Sequence, residues 1–206
     1  NGTMTQTLDT PSNVFATLNP LNQTTSNNFV LSNGNTTTLT SGDAAARYYG
    51  GSSTLGVSSG KWYCEFKPTS QGSQVLSGIS YNPSEDARLN NYIGEGSYAY
   101  GYYGSNGTTW NNNSSSAYGD SYADNDIIGI AMDLDNSKLY FSKNGTWQNS
   151  GDPESGATGT GAISITSGET YFFSFGEQTS TAKATINVNF GNGFFGTTAV
   201  SSAQNP

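Results

Sequence analysis

The residues able to do chemistry form a short list, and its gap is informative: the 206-residue chain has no histidine. Without imidazole the commonest general base and metal ligand is missing, and with it the Ser-His-Asp and Cys-His nucleophilic systems. Carboxylates remain. Asp133 with Asp135, or Asp124 with Asp126, have the one-residue spacing that would put two acids on one side of a continuing strand, the minimum set for a glycosidase. The competing reading is that these aspartates shape the turns flanking the apolar run Ile127 to Met132, a role the residue type favours. Asp120, Asp124 and Asp126 are also hard oxygen donors at close spacing, the weaker alternative of a calcium site, although no EF-hand pattern is met. Cys64, the single cysteine, alternates with Trp62 and Phe66 and reads as a core thiol, with Trp62 as a core anchor.

What is left for recognition is aromatic and amide. Tyr98, Tyr100 and Tyr102 share one strand face, which suits either a platform for sugar rings or cross-strand packing. Trp110 and Trp147 each follow an Asn-Gly pair and sit beside Asn111 and Gln148. An aromatic face next to amide donors and acceptors is what saccharide or peptide binding needs. With Tyr92 from the preceding polar loop, the candidate ligand set is Tyr92, Tyr102, Trp110, Asn111, Trp147 and Gln148; no catalytic residue and no cofactor is expected.

The elements that must position these groups are strands. Charged residues make up 11% of the chain and aromatics 13%, the rest being rich in Gly, Ser, Thr and Asn, which favours turns and pleated surfaces while still supplying a core. Period-two alternation runs through Lys61 to Lys67, through Val75, Ser77, Ile79 and Tyr81, through Ile128, Ile130, Met132 and Leu134, and through Ile186, Val188 and Phe190. Asn33-Gly34 and Asn144-Gly145 mark tight hairpins. Gly50 to Ser53 reads as a flexible loop, Ala44 to Tyr49 as a strand, and the tract from Asn111 to Ser116 as a loop. Ten or more short strands without helical periodicity predict an all-β antiparallel β-sandwich. Its recognition loops fall at 82–97, 104–117 and 145–162, the first broken from its strand by Asn82-Pro83.

A net charge of −8 with seven scattered basic residues leaves no stripe to neutralise phosphates, so nucleic acid is not an expected partner. The run from Ile127 to Met132 is too short to span a bilayer, so membrane insertion is not expected either. The opening Asn1-Gly2-Thr3 reads as a fragment or processed product of a larger protein.

Seven stretches, in order and spacing, resemble the SPRY family: Gly60 to Phe66, Ser77-Gly78-Ile79, Tyr100-Gly101-Tyr102, Tyr118-Gly119-Asp120, Asp126 to Leu134, Leu139 to Gly145, and Asn189-Phe190-Gly191. The resemblance spans about residues 60 to 195 and implies a concanavalin-like jelly roll whose loops bind proteins or peptides; it transfers no ligand residue. Ahead of it, Asp9 to Asn13 and Thr17 to Leu21 are similar to lead-in segments of bacteriophage structural proteins. The resulting expectation is an extended lead-in over 1–28, a sandwich over 29–198 and a tail over 199–206. The chain is then a non-enzymatic virion module that sits on the particle surface as part of a tail or capsid appendage after assembly in the host cytoplasm. Its partners are other virion proteins, further copies of itself in the particle, and a host-surface glycan or protein. The alternative is capsid or tail decoration without ligand recognition.

Overall fold

The computed structural model describes residues 15–23, 29–40, 49–70, 72–84, 92–177, 184–196 and 198–199. Two antiparallel sheets face each other, as the alternating pattern requires. The first runs in the order β1 (Leu18–Gln23), β4 (Tyr49–Ser53), β14 (Phe172–Glu177), β6 (Val75–Ser80), β7 (Ala99–Tyr103), β8 (Thr108–Asn111), β9 (Ser114–Ala117). The second runs β12 (Thr146–Trp147), β11 (Lys138–Lys143), β10 (Ile128–Asp133), β5 (Lys61–Ser70), β15 (Thr185–Asn189), β3 (Thr37–Thr40), β2 (Phe29–Ser32), with the short β13 (Ile163–Ser164) paired to β11. A small ribbon of β16 (Phe194–Phe195) and β17 (Thr198–Ala199) follows.

The core lies between the sheets, where one side chain in two points inward. Val75, Ile79, Tyr100, Tyr102, Phe173 and Phe175 come from the first sheet, and Cys64, Phe66, Ile128, Ile130, Met132, Leu139 and Phe141 from the second. Strand β10 is buried along its whole length because β5 and β11 flank it, and at Gly129 their Tyr63 and Ser142 side chains fill the space a Cβ would take. The Asn144-Gly145 pair closes β11 onto β12 with φ of 50° and 81°, the two positive angles that a type I′ turn needs. Asn33-Gly34 also lies in a hairpin, but the connection from β2 to β3 is four residues long, with positive φ at Asn33, Gly34 and Asn35 (51°, 64° and 63°).

Four expectations are corrected. Gly50 to Ser53 is strand, not loop: β4 pairs with β1 on one side and β14 on the other, and a Cβ on Gly50 would sit 2.9 Å from the Phe175 carbonyl oxygen. Glycine is therefore a packing requirement there, where composition suggested flexibility. The tract after Trp110 is also strand: Asn112 and Asn113 both take positive φ (51° and 55°), and together they turn β8 onto β9. Trp62 does not anchor the core; it is 47% exposed and donates its indole N–H to the Ser59 carbonyl, because it sits where β5 enters the sheet. Finally, the sandwich takes in part of the expected lead-in, since Leu18 at the start of β1 is buried in the core. The segment Asp9 to Asn13, most of the expected strand Ala44 to Tyr49, and the tail beyond Ala199 lie outside the described residues.

Candidate functional site

The inner face of the β8–β9 hairpin continues past the covered part of the core. Register fixes which side chains lie there. Thr109 is opposite Tyr102 on β7 and Ser116 on β9, and Asn111 is opposite Ser114, so Thr109, Ser114 and Ser116 share the inner face with Tyr100 and Tyr102. Facing them across a gap is β13, with Ile163 and Ser164. The result is a cleft of about 470 Å³ between the two sheets, floored by Tyr100 and Tyr118 and walled by the hairpin and β13. Among the described residues no charged side chain lines it.

The floor is fixed from below. The Tyr118 hydroxyl accepts the Phe141 N–H at 3.2 Å, and burial pushes the phenol up to about 12 against the lowering effect of that N–H. The Tyr100 hydroxyl accepts the Thr166 N–H at 3.1 Å. At the rim, Lys138 Nζ donates to Ser164 Oγ at 3.2 Å. A cleft with hydroxyl and amide walls, a tyrosine floor and no charged lining residue, with the Lys138 ammonium held at its rim, fits an uncharged polar ligand or a segment of polypeptide.

The expected ligand residues separate on this frame. Trp110 and Asn111 line the cleft, but the Trp110 ring lies on the other face of the hairpin: Trp110 pairs with Gly101, its ring stands edge-on to Tyr92 at 5.5 Å, and both pack on Ile93 and Ala99. The Asn111 amide donates to the Ser97 and Ala99 carbonyls, tying the hairpin to the start of β7 and the residues just before it. Tyr92 donates to Asn113 Oδ1 at 2.5 Å and clamps the hairpin turn from outside. Tyr102 is not a ligand residue. It is 0% exposed, stacks on Phe141 with ring centroids 5.1 Å apart, and donates its hydroxyl to the Asp120 carbonyl. Of the expected platform, Tyr100 and Tyr102 face inward, while Tyr98 packs edge-on against Tyr81.

On the second sheet Trp147 stands edge-on to Tyr63 and Tyr140, at 6.3 and 6.4 Å, and lines no part of the cleft. Gln148 is buried with both ends of its amide engaged: Oε1 accepts the Asp120 N–H at 2.8 Å and Nε2 donates to the Thr146 carbonyl at 2.9 Å. A group held this way is a brace between β12 and the Gly119-Asp120 turn, so it too is withdrawn from the ligand set. Thr109, Ser114, Ser116, Tyr118, Ile163 and Ser164 were missed. The first three were legible only once Asn112-Asn113 was read as a turn, and nothing local marks Ile163 and Ser164.

The aspartates are spent on structure. Asp133 accepts from Asn136 and pairs with Lys61 at 3.3 Å, while Asp135 accepts the Gly60 N–H at 2.8 Å. Asp124 accepts the Gly72 N–H; Asp126 accepts from the Ala123 N–H and the Asn144 amide and pairs with Lys143 at 3.5 Å. Their oxygens point to separate partners, and among the described residues no cluster of three or more His, Cys, Asp or Glu is placed to hold a metal ion. Cys64 is buried, and burial with the neighbouring Glu65 raises its thiol well above the ordinary range, which suppresses the thiolate. A second concavity, about 230 Å³ on the outer face of the second sheet, is lined by Lys61, Tyr63, Ala131, Asp133, Tyr140 and Glu154 among others.

A family model described as "SPRY domain" matches residues 61–178, more than half of the chain. The chain belongs to the SPRY family. The crystal structure of the SPRY domain of human HERC1 superposes with a TM-score of 0.65 over 84% of this chain and 98% of that one, at 17% identity. The stonustoxin structure does so with a TM-score of 0.61 over 85% of this chain and 27% of that one, also at 17% identity. At such identity these two establish the fold. A Xenopus laevis protein named ATP-dependent RNA helicase DDX1 is 33% identical over 98 residues, which is 48% of this chain and 12% of the helicase. The chain thus spans about an eighth of that relative. SPRY domains are protein-interaction modules and generally lack catalysis, so the chain is a binding module in that general sense.

Proposed function

We propose that this SPRY domain is a non-enzymatic binding module of a bacteriophage particle that engages a host-surface protein or glycan through the cleft between the β8–β9 hairpin and β13. The observation that carries the binding part is the cleft: about 470 Å³, uncharged, hydroxyl-lined and floored by two braced tyrosines. The particle part rests on the similarity of Asp9 to Asn13 and Thr17 to Leu21 to bacteriophage lead-ins. A shallow polar site of this kind supports roughly millimolar affinity, about 4 kcal/mol, which display in many copies raises by about 10² to 10⁴. A multivalent display of the chain, read on a glycan array and on host cells, is expected to bind. Ser116→Arg, which fills the cleft from an exposed edge position, is expected to abolish that binding. Binding to no permissive host, or binding indifferent to Ser116→Arg, refutes the proposal.

A second reading, decoration or assembly without ligand recognition, draws on Leu21, 94% exposed on edge strand β1, and on Val30 and Leu39, exposed cross-strand partners on β2 and β3. Removing residues 1–28 does not test it, because that also removes core residue Leu18. Leu21→Asp with Val30→Asp does: under this reading incorporation into particles is lost while the sandwich stays folded, and retained incorporation removes the reading.

A further inference from the structure

Strand β9 ends the first sheet: its one partner is β8, all four of its residues are exposed, and among the described residues no strand lies beyond it. Edge strands are usually blunted by charge, proline or a bulge. Ser114-Ser115-Ser116-Ala117 has neither charge nor proline, and its pairing with β8 runs without a register shift.

The turn determines which backbone groups are open. A two-residue type I′ turn at Asn112-Asn113 makes Asn111 and Ser114 the hydrogen-bonded pair that closes the hairpin. Antiparallel pairs alternate, so Trp110 with Ser115 is a non-hydrogen-bonded pair, Thr109 with Ser116 is hydrogen-bonded, and Thr108 with Ala117 is again non-hydrogen-bonded. Ser115 and Ala117 therefore turn their N–H and C=O groups away from β8, toward open solvent. Alternating with them, the Ser114 and Ser116 side chains point into the cleft.

These two features belong to one geometry. A chain laid along β9 finds the N–H and C=O of Ser115 and Ala117 ready to pair, and every second side chain it carries falls over the cleft, opposite Ile163 and above Tyr100 and Tyr118. We propose that β9 is the acceptor edge for an extended polypeptide segment of a protein partner, which extends the first sheet by one strand and drops uncharged alternate side chains into the cleft. This rests on the cleft being the binding site and narrows its ligand to peptide. A glycan has no alternating donor and acceptor ladder of this spacing and would use the cleft alone. Because the pairing is main-chain, affinity is tolerant of sequence, while the uncharged lining selects against charge at the inward positions.

The test uses the full chain, isotope-labelled, titrated with a short synthetic peptide alternating valine and threonine, with the same peptide N-methylated at its central amides, and with a neutral oligosaccharide. The expected result is that the unmodified peptide slows amide exchange at Ser115 and Ala117 at least about tenfold and shifts the Tyr118 resonances, while the N-methylated peptide binds at least about tenfold more weakly. Ser115→Pro removes an N–H that bonds nothing within the sheet, so the domain stays folded while peptide affinity falls by a similar factor. Cleft shifts without protection of the edge amides, or shifts caused by the oligosaccharide alone, overturn the strand-addition inference and leave the cleft as the binding site. No response from either ligand at about ten millimolar overturns both.

Discussion

Replacing Tyr102 separates a ligand-facing tyrosine from a core one. In the structure its ring is enclosed by Phe141, Tyr122 and Tyr118, with centroids 5.1, 5.3 and 5.8 Å away. Its hydroxyl donates to the carbonyl of Asp120, and Asp120 is itself exposed. Tyr102→Ala thus removes a whole buried ring from a site whose walls are strand-bound and cannot collapse, which costs about 3–5 kcal/mol. Tyr102→Phe keeps the ring and removes one hydroxyl. The freed Asp120 carbonyl can take a water, so the cost is about 0.5–1.5 kcal/mol. For a domain of this size those figures become a fall in Tm of about 6–20 °C for alanine and about 1–6 °C for phenylalanine. Urea melts followed by tryptophan fluorescence measure both, with a common slope confirming that the unfolded state is unchanged. An alanine variant within about 1 kcal/mol of the parent refutes the burial of this ring, since that is the range of an exposed position.

Gly78 admits no side chain, because a Cβ there would lie 1.9 Å from the Tyr100 carbonyl oxygen of the adjoining strand; Gly78→Ala is expected to abolish soluble expression. Gly168→Ala, which meets nothing within 4 Å but sits at φ +81°, is expected to cost only about 1 kcal/mol. Burial alone would raise the carboxyls of Asp126 and Asp133, but their amide, N–H and lysine partners outweigh it and hold both below the usual range. The stability they add is present above the ordinary carboxylate pKa of about 4 and is lost as pH falls through their lower folded values. Acid melts should therefore steepen below about pH 4 and flatten in Asp133→Asn; an unchanged acid limb in that variant counts against the pairing. Cys64, buried between the sheets, should label with a thiol reagent only at the rate of global unfolding, and stoichiometric labelling under native conditions contradicts its placement.

The fold was legible because each cue was local. Alternation along Lys61 to Lys67 and Ile128 to Leu134 reports which side chains enter a core, and Asn144-Gly145 specifies its hairpin by the φ it tolerates. Asn112-Asn113 carries the same cue more faintly, since asparagine at both turn positions is costlier than Asn-Gly, and the serine run beyond it lacks the β-branched residues that mark strands.

Trp110 and Asn111 could be placed near a site from their neighbours in the chain, but only the register with Gly101 turns the indole outward and leaves Thr109 and Ser116 facing the cleft. Tyr102 and Gln148 have the chemistry of ligand residues; burial against Phe141 and the hydrogen bond to Asp120 assign them to the framework. The far wall, Ile163 and Ser164, comes from a different sheet some fifty residues along the chain. Pattern along one chain determines what each strand buries, because that depends on period alone. Which exposed edges end up facing one another depends on the order in which strands join their sheets, and only the folded molecule decides that.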